Sequence, residues 1–307
     1  MALKSKKKAT FRKKTPAWMI GVLQAGVAVF IWSWMGLSAA APRLPPGPPG
    51  NGYARPVSTK PWKLVWQDEF DGLRLDTTKW TSEVNDWGGG NEELQYYTAR
   101  PENAYLADGA LVIVAHREKY LTKAFTSARL NTRYKAGWQY GRFEVRAKMP
   151  KGWGLWPAIW MLPTDDRYGP WPAGGEIDIA EVLGRESAEV HGAVHFGNEN
   201  PYHRRSSAGT TRLKRGDFSK EFHVFSVEWE AGVIRWYLDN QLYHTAKVER
   251  PMEERYHLLL NLAIGSKWPG TPKANTDFPA HFYVDYVRVF AREEPEAPSE
   301  ERPTRGN

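Results

Sequence analysis

Short alternating runs of apolar and polar residues dominate the middle of the chain. Successive side chains of a strand point to opposite faces, so each run predicts a strand with one face in a core. The clearest runs are Leu111–Ala115, Gly141–Ala147, Phe222–Trp229 and Phe282–Phe290. Val233–Tyr237 and Gln241–Thr245 flank Leu238-Asp239-Asn240, which predicts a β-hairpin. No window has the period of a long helix, so the pattern predicts an all-β sandwich.

One predicted strand carries acids inside an apolar run. Glu176, Asp178 and Glu181 interrupt a run of Ile, Ala, Val and Leu. Charged side chains are seldom fully buried without partners, so a function outweighs stability here. In a regular strand Glu181 would point away from the other two acids. A β-bulge at Ile179-Ala180 would bring all three acids to one surface. A solvated edge strand with ordinary surface acids is the alternative. It would leave Ile177 and Ile179 without a defined buried face.

The two ends of the chain differ in composition from its centre. Residues 1–41 combine a basic start, an apolar run and a small-residue end, which predicts a signal peptide. The apolar residues 17–37 are also long enough for an N-terminal membrane anchor. Either way the rest is exported: secreted, periplasmic or anchored outside the cytoplasm. Residues 42–60 read as a Pro/Gly-rich linker, residues 61–291 as one domain and residues 292–307 as a disordered tail.

The net charge of +7 belongs to the N-terminus. Seven of the 42 basic residues precede Ala41 without an acid among them, which leaves 35 basic against 35 acidic residues. The folded domain therefore lacks the overall basic charge of a nucleic-acid binder. A basic nucleic-acid arm is the alternative to export, but the apolar run behind it favours export. The chain has no Cys, so stability must come from the core or from a metal ion.

The three acids have two chemical interpretations. A pair of carboxylates can cleave a glycosidic bond, and in the retaining route they lie about 5–5.5 Å apart. Five flat-strand steps of ~3.3 Å would separate the Cα atoms of Glu176 and Glu181 by roughly 16 Å, so spacing alone does not establish that route. Asp178 could hydrogen-bond Glu176 and separate the pKa values of the two glutamates. A hard cation such as calcium is the alternative, although calcium loops are usually rich in Asp, Asn and Gly.

Aromatic residues point to a sugar ligand. Twelve of the 15 Trp residues lie beyond the export segment. Four precede the acids: Trp153, Trp156, Trp160 and Trp171. An indole offers a flat apolar plate and an N–H donor, which suit the C–H face and the hydroxyls of a sugar ring. Trp156 and Trp160 lie in a strand-like run, and for Trp160 we expect a place in the core. Trp153 lies between glycines, and we expect an exposed sugar platform.

Two histidines follow the acids at a spacing of four. Gly192 and the surrounding Val and Phe indicate a strand, on which His191 and His195 share a face, and not the helix on which this spacing binds zinc. We expect His195 to hydrogen-bond in the cleft near Glu181. A structural histidine is the alternative.

Together these motifs resemble glycoside hydrolase family 16, specifically its laminarinase-like endo-1,3-β-glucanases. The acid motif Glu176–Glu181 follows the run Trp156–Leu162, as in that family. The other matching segments are Trp66–Phe70, Glu92–Thr98, Thr126–Leu130, Gly141–Val145 and Tyr283–Val289. The extra residue before Glu181 is typical of the laminarinase-like members, whereas licheninase-type relatives have a shorter motif.

The resemblance implies a fold, a substrate and a mechanism. Residues 61–291 would form a concanavalin-like jelly-roll β-sandwich whose concave cleft binds a β-glucan chain, and we expect a monomer. Endo-acting hydrolysis would retain the anomeric configuration, with Glu176 as nucleophile, Glu181 as acid/base and Asp178 assisting Glu176. Other hydrolases or transglycosylases of this fold act on mixed-linkage glucan or galactan. A non-catalytic β-glucan-binding protein is a further alternative, although such binders generally lose the acids.

The resemblance also implies ligand contacts. The expected substrate contacts are Asn91, Arg129, Trp153, Trp156 and His195. Asn91 follows three glycines and could instead stabilise a turn, and Arg129 could be a buried structural cation. The chemistry needs no cofactor. Some members carry a structural calcium ion, and the matching positions are Glu69, the backbone of Gly109 and Asp285, where a simple salt bridge is the alternative.

Overall fold

A computed structural model describes residues 61–197 and 204–293 of the chain. The predicted signal peptide or anchor, including residues 17–37, and the predicted linker lie outside the described residues. So does the predicted tail beyond residue 293, whereas its first residue, Arg292, still pairs with Trp62 in a sheet. No helix within the described ranges is long and apolar enough to cross a membrane.

Nearly all of the regular secondary structure in the described residues is β-strand. The strands are β1 (Trp62–Asp68), β2 (Thr81–Ser82), β3 (Gln95–Tyr97), β4 (Ala104–Ala107), β5 (Ala110–Ala115), β6 (Phe125–Ser127), β7 (Arg129–Asn131), β8 (Gly141–Lys148), β9 (Leu155–Pro163), β10 (Glu176–Glu181), β11 (Glu189–Phe196), β12 (Arg205–Arg212), β13 (His223–Glu230), β14 (Val233–Leu238), β15 (Gln241–Lys247), β16 (Tyr256–Ile264) and β17 (Ala280–Arg292). Two single turns of 3₁₀ helix, Gly88–Gly90 and Gly184–Glu186, lie between strands.

Two antiparallel sheets form the body of the fold. One has the strand order β15-β14-β13-β8-β17-β5-β4, with β1 also paired to β17. The other, which we call the cleft sheet, has the order β12-β11-β10-β9-β16-β7-β2. The short strands β3 and β6 pair in parallel. This arrangement confirms the predicted all-β jelly-roll sandwich.

The core lies between the sheets and follows the alternation of the sequence. Phe143, Val145 and Ala147 of β8 are fully buried in it, as are Val227 of β13 and Ile177 of β10. Burial of these apolar side chains is the main favourable term in folding. Because Ile177 of β10 faces this core, the opposite face of β10 is left for the acids.

The predicted hairpin is confirmed. β14 and β15 pair in an antiparallel register that ends at Leu238 and Gln241. The turn residues Asp239 and Asn240 both have positive φ, at 49° and 66°. A two-residue turn with two positive φ angles has the twist that closes a tight hairpin, and Asp and Asn tolerate that conformation better than most residues.

Candidate active site

A β-bulge shapes the acid-bearing strand, as predicted. The register of β10 shifts between Asp178 and Ala180 along β9, and between Asp178 and Glu181 along β11. The extra residue therefore lies at Ile179-Ala180, both of which are buried in the core. Because the bulge resets the alternation, Glu176, Asp178 and Glu181 all line one cavity over the cleft sheet.

This cavity has a volume of about 860 Å³, within the range of ligand sites. Its wall combines the three acids with aromatic, basic and amide side chains from neighbouring strands and loops. These include Trp87, Asn91, Arg129, Trp156, Trp160, Trp171, His191, His195, Asn261 and Trp268. The cavity offers flat apolar plates and hydrogen-bonding groups around the carboxylates, which is the surface that a sugar chain requires.

Asp178, Glu176 and His195 form one polar cluster. Asp178 is 2% exposed and faces the same cavity as Glu176, two residues before it on β10. His195 Nε2 lies 3.3 Å from Asp178 Oδ2. The expectation that His195 lies near Glu181 is wrong, because the strand register sets His195 opposite Glu176 and His191 opposite Glu181.

Glu181 lies among aromatic groups. The Trp156 indole N–H donates to Glu181 Oε1 at 3.1 Å. Trp268 meets Trp156 edge-on, with ring centroids 5.3 Å apart, and its ring centroid lies 5.2 Å from that of His191. Sequence reasoning missed Trp268. The signal was present, because Trp268 lies between Gly265 and Gly270 much as Trp153 lies between glycines.

Burial and mutual repulsion shift the protonation of the acids. Burial raises the pKa of Asp178 to about 7. Burial and the charge of Asp178 raise the pKa of Glu176 well above its ordinary value. Burial and the charges of Asp178 and Glu176 likewise raise the pKa of Glu181. Burial lowers the pKa of His195, which favours the neutral imidazole. The site therefore retains protons at pH values where surface carboxylates have lost theirs.

The expectation that Trp160 lies in the core is wrong. Trp160 is half-buried at the cavity wall, where its indole N–H donates to Asn261 Oδ1 at 2.6 Å. Side chains of β9 alternate, so Trp156 and Trp160 share the cavity face while Ile159 and Met161 fill the core. The apolar run alone does not indicate which face is which.

Arg129 lies at the cavity wall but is only 4% exposed. Its guanidinium lies 3.8 Å from Glu83 Oε2 and 3.7 Å from Glu93 Oε2, and 4.7 Å from the centroid of the Tyr97 ring. A buried cation with two acidic neighbours matches the structural alternative. Asn91 lies at the end of the Gly88–Gly90 turn, donates from Nδ2 to the Gly89 carbonyl at 3.3 Å and also lines the cavity.

The structure does not bring Trp153 into the cavity. Trp153 is 38% exposed, and Lys273 Nζ lies 3.5 Å from the centroid of its ring. A Cβ atom on Gly270 would lie 2.5 Å from Trp153 Nε1, so the loop that carries Trp268 packs closely on this indole. Trp153 therefore supports the cavity wall from outside, and the indoles that line the cavity are those of Trp87, Trp156, Trp160, Trp171 and Trp268.

The two side-chain ligands of the calcium site that the resemblance implies form ion pairs with arginines. Both carboxylate oxygens of Glu69 accept from Arg288 at 2.8 Å, and Asp285 Oδ2 accepts from Arg146 at 2.5 Å. The expected ligands Glu69 and Asp285 are thus engaged in ion pairs, which is the salt-bridge alternative. Gly109 ends the tight turn before β5 with a φ of 70°.

Two other groups have metal-ligand spacing within the described ranges. One is Glu176, Asp178 and His195 in the cavity, and the other is Glu186, Glu189 and His191 at its edge. In the second group, Arg185 donates to Glu186 at 3.2 Å and Arg212 donates to Glu189 at 3.0 Å. These arginines already neutralise the second group, so it resembles an ion-pair network more than a cation site.

Comparison with known proteins agrees with this geometry. The family model described as "Glycosyl hydrolases family 16" matches residues 89–288. A β-glucanase of Rhodothermus marinus is 45% identical over 245 residues, which cover 75% of this chain and 85% of the relative. A glucan endo-1,3-β-glucosidase A1 of Niallia circulans is 42% identical over 260 residues, covering 74% of this chain and 37% of the relative. The X-ray structure of the laminarinase from Rhodothermus marinus superposes with a TM-score of 0.70 at 44% identity, covering 77% of this chain and all of that structure.

Proposed function

The chain belongs to glycosyl hydrolase family 16 and is a glycoside hydrolase, and from that premise we propose that it cleaves internal β-1,3 bonds of a laminarin-like glucan. The observation that carries the proposal is the bulged strand β10, which presents Glu176, Asp178 and Glu181 to a cavity lined by indoles. The names of the relatives in Rhodothermus and Niallia support the choice of a β-1,3-glucan.

We propose a retaining double displacement. The Glu176 carboxylate attacks the anomeric carbon, the glycosidic C–O bond breaks, and Glu181 gives its proton to the departing oxygen. Glu181, now a carboxylate, takes a proton from water as that water attacks the same carbon. The bond to Glu176 breaks, and both acids return to their starting states. Retention follows because the configuration at the anomeric carbon inverts twice.

The electrostatics of the cavity support these roles. A general acid must hold its proton at working pH, and burial together with two neighbouring acids raises the pKa of Glu181. A nucleophile must be ionised. Glu176 and Asp178 are buried side by side and titrate as a pair. We propose that the reacting state holds the proton on Asp178, which leaves Glu176 as an anion with a donor beside it. His195, close to Asp178, would hold that carboxyl in place.

Substrate binding would use the cavity wall on both sides of the acids. Trp156 and Trp268 lie beside Glu181 and provide plates for sugar rings. Asn91 and Trp160 would contact rings farther along the chain, since both line the same cavity. Arg129 is too buried to make a broad contact, so its role would be to fix the cavity wall through Glu83 and Glu93.

Product analysis of the purified protein on laminarin, mixed-linkage glucan, agarose and xyloglucan tests this function. We expect oligosaccharides from laminarin, with the β-anomer formed first in NMR spectra recorded at early times. Initial formation of the α-anomer would show inversion and overturn the proposed mechanism. When a short laminari-oligosaccharide is supplied instead, products longer than it would indicate transglycosylation. Tight laminarin binding without products would favour a binding protein.

The roles of the two glutamates are tested by Glu176→Gln and Glu181→Gln. Each variant removes one charge or proton without changing the size of the side chain, so we expect the fold to persist and laminarin hydrolysis to be abolished. The variant that lacks the acid/base, which we expect to be Glu181→Gln, should regain turnover of an aryl glucoside when azide is added. A small anion can then attack the glycosyl-enzyme without help from a base. Normal turnover by either variant would overturn the assignment.

We propose, in addition, that the domain acts outside the cytoplasm. The basic start and apolar run of residues 1–41 support export. Fractionation of cells that express the full chain, followed by N-terminal sequencing, distinguishes a cleaved signal peptide from a retained anchor. Activity confined to the cytoplasm would contradict the proposal.

A further inference from the structure

We propose that Trp236 is a positioning residue, whose indole N–H fixes the bulge of β10 and thereby aims Glu181 into the cavity. This inference rests on the function proposed above, because it assigns a purpose to the geometry of Glu181. Trp236 lies on β14, in the sheet opposite the cleft sheet, and does not line the cavity.

One hydrogen bond joins Trp236 to the bulge. Trp236 is fully buried, and its Nε1–H donates to the backbone carbonyl of Asp178 at 2.8 Å. That carbonyl belongs to the peptide between Asp178 and Ile179, where the register of β10 begins to shift. A bulge disrupts the ladder locally, and a buried carbonyl must then find another donor. Trp236 supplies it from across the core.

The cleft sheet leaves space for this indole. Gly192 lies on β11, the strand next to β10, and is in close contact with the Trp236 indole. A Cβ atom on Gly192 would lie 2.4 Å from Trp236 Cδ1 and 2.5 Å from the Tyr243 hydroxyl. Any other residue at position 192 would displace the indole or the strand. Gly192 therefore permits the close approach on which the hydrogen bond depends.

The hydrogen bond restrains the peptide that determines the direction of Glu181. Glu181 follows Asp178 by three residues and faces the cavity only because the bulge resets the alternation. If the Asp178 carbonyl lost its buried donor, that peptide would rotate toward another partner, and the Glu181 carboxyl would move with it. Proton transfer to the leaving oxygen requires hydrogen-bond distance, so a shift of this kind acts on catalysis more than on binding.

Trp236→Phe tests the inference, and Trp229→Phe is its matched control. Trp229 is also fully buried in the same sheet, and its indole N–H also donates to a backbone carbonyl, that of Met252, at 3.1 Å. Both variants lose one indole–carbonyl hydrogen bond and the same volume. We expect similar losses of Tm, because the two substitutions remove similar structural interactions.

Kinetics on laminarin should separate the two variants. We expect kcat of Trp236→Phe to fall by about 100-fold with KM unchanged, as for a misplacement of about 1 Å at a reacting group. Trp229→Phe should keep its kcat. An aryl laminaribioside with a nitrophenol leaving group needs little acid assistance, so its cleavage by Trp236→Phe should lose much less.

Equal kcat values for the two variants would overturn the inference, as would an equal loss on both kinds of substrate. If Trp236→Phe does not fold, replacement of Trp236 by the isosteric benzothienylalanine keeps the shape and removes only the N–H, and the same kcat loss is expected. Failure of the wild-type protein to hydrolyse laminarin would refute the proposed function, whereas an active wild type with a fully active Trp236→Phe variant would refute this inference alone.

Discussion

Asp178 influences the protonation of both glutamates in the cavity. It is the most buried of the three acids, at 2% exposure, and lies between Glu176 and Glu181 along the strand. Its charge is one cause of the raised pKa of each glutamate. A substitution at this position therefore acts on both proposed catalytic groups without removing either of them.

We predict that Asp178→Asn shifts the alkaline limb of activity to lower pH. In the proposed mechanism activity is lost as pH rises through the pKa of Glu181, the general acid. Above its pKa of about 7, Asp178 is charged, and that charge raises the pKa of Glu181. Asn at this position removes that cause, so the pKa of Glu181 falls and the alkaline limb moves down. We also expect kcat to fall by about 100-fold, within the range for a group that assists proton transfer. The pH profile of kcat/KM on laminarin measures both effects.

The exposed acid Asp277 provides the control for this prediction. It does not line the cavity, so Asp277→Asn should leave the profile unchanged. An alkaline limb that stays in place for Asp178→Asn would show that its charge does not influence the general acid.

The same substitution should stabilise the protein at neutral pH. Burial raises the pKa of Asp178 from 3.8 to about 7, so the folded state binds more protons than the unfolded state in that window. Stability contributed at low pH is therefore lost as pH rises from about 4 to about 7. Asp178→Asn removes this cost. We expect a gain of about 1 kcal/mol at pH 8, or about 2–4 °C in Tm, and no gain at pH 4. A Tm gain that does not depend on pH would contradict the argument.

At the scale of single elements, structural features that depend on residues close together in the chain could be predicted from the sequence. The bulge of β10 follows from three acids whose spacing conflicts with strand alternation. The β14–β15 hairpin follows from Asp239-Asn240 between two alternating runs. In both cases the residues that carry the signal are neighbours in the chain.

Features that depend on packing between distant elements were not predictable. Alternation in β9 separates two faces, but only the packing of the cleft sheet on the opposite sheet determines which face is buried and that Trp160 faces the cavity. The same holds for Trp268, which reaches the cavity through a loop packed on Trp153. The position of His195 likewise depended on a register between β10 and β11 that the sequence does not contain.

We predict that Asn240→Ala destabilises the hairpin by about 1–2 kcal/mol. Asn240 has a φ of 66°, where alanine is strained, and its Oδ1 accepts from Arg142 Nη2 at 2.9 Å. Asn240→Gly loses the same hydrogen bond without the strain, so it should cost less. Urea unfolding measures both, while kcat per folded molecule should not change. Equal losses for the two variants would assign the whole effect to the hydrogen bond.

At the scale of the whole molecule, ion pairs complement a large core. The chain has no Cys, so no disulfide contributes to its stability. Strand β17 pairs with β1, β5 and β8, and Glu69–Arg288 and Arg146–Asp285 add ionic contacts along these junctions. These pairs occupy the carboxylates that would otherwise be free to bind a cation.

We therefore predict that calcium does not stabilise the described domain. Binding at Glu69 and Asp285 would first have to separate two arginine–carboxylate pairs, one of them bidentate. Tm and laminarin hydrolysis should be the same in EDTA and in millimolar calcium. Glu69→Gln should lower Tm equally in both solutions, because it removes the pair with Arg288 and not a metal ligand. A Tm rise in calcium that Glu69→Gln abolishes would instead show that Glu69 binds the ion and that Arg288 gives way to it.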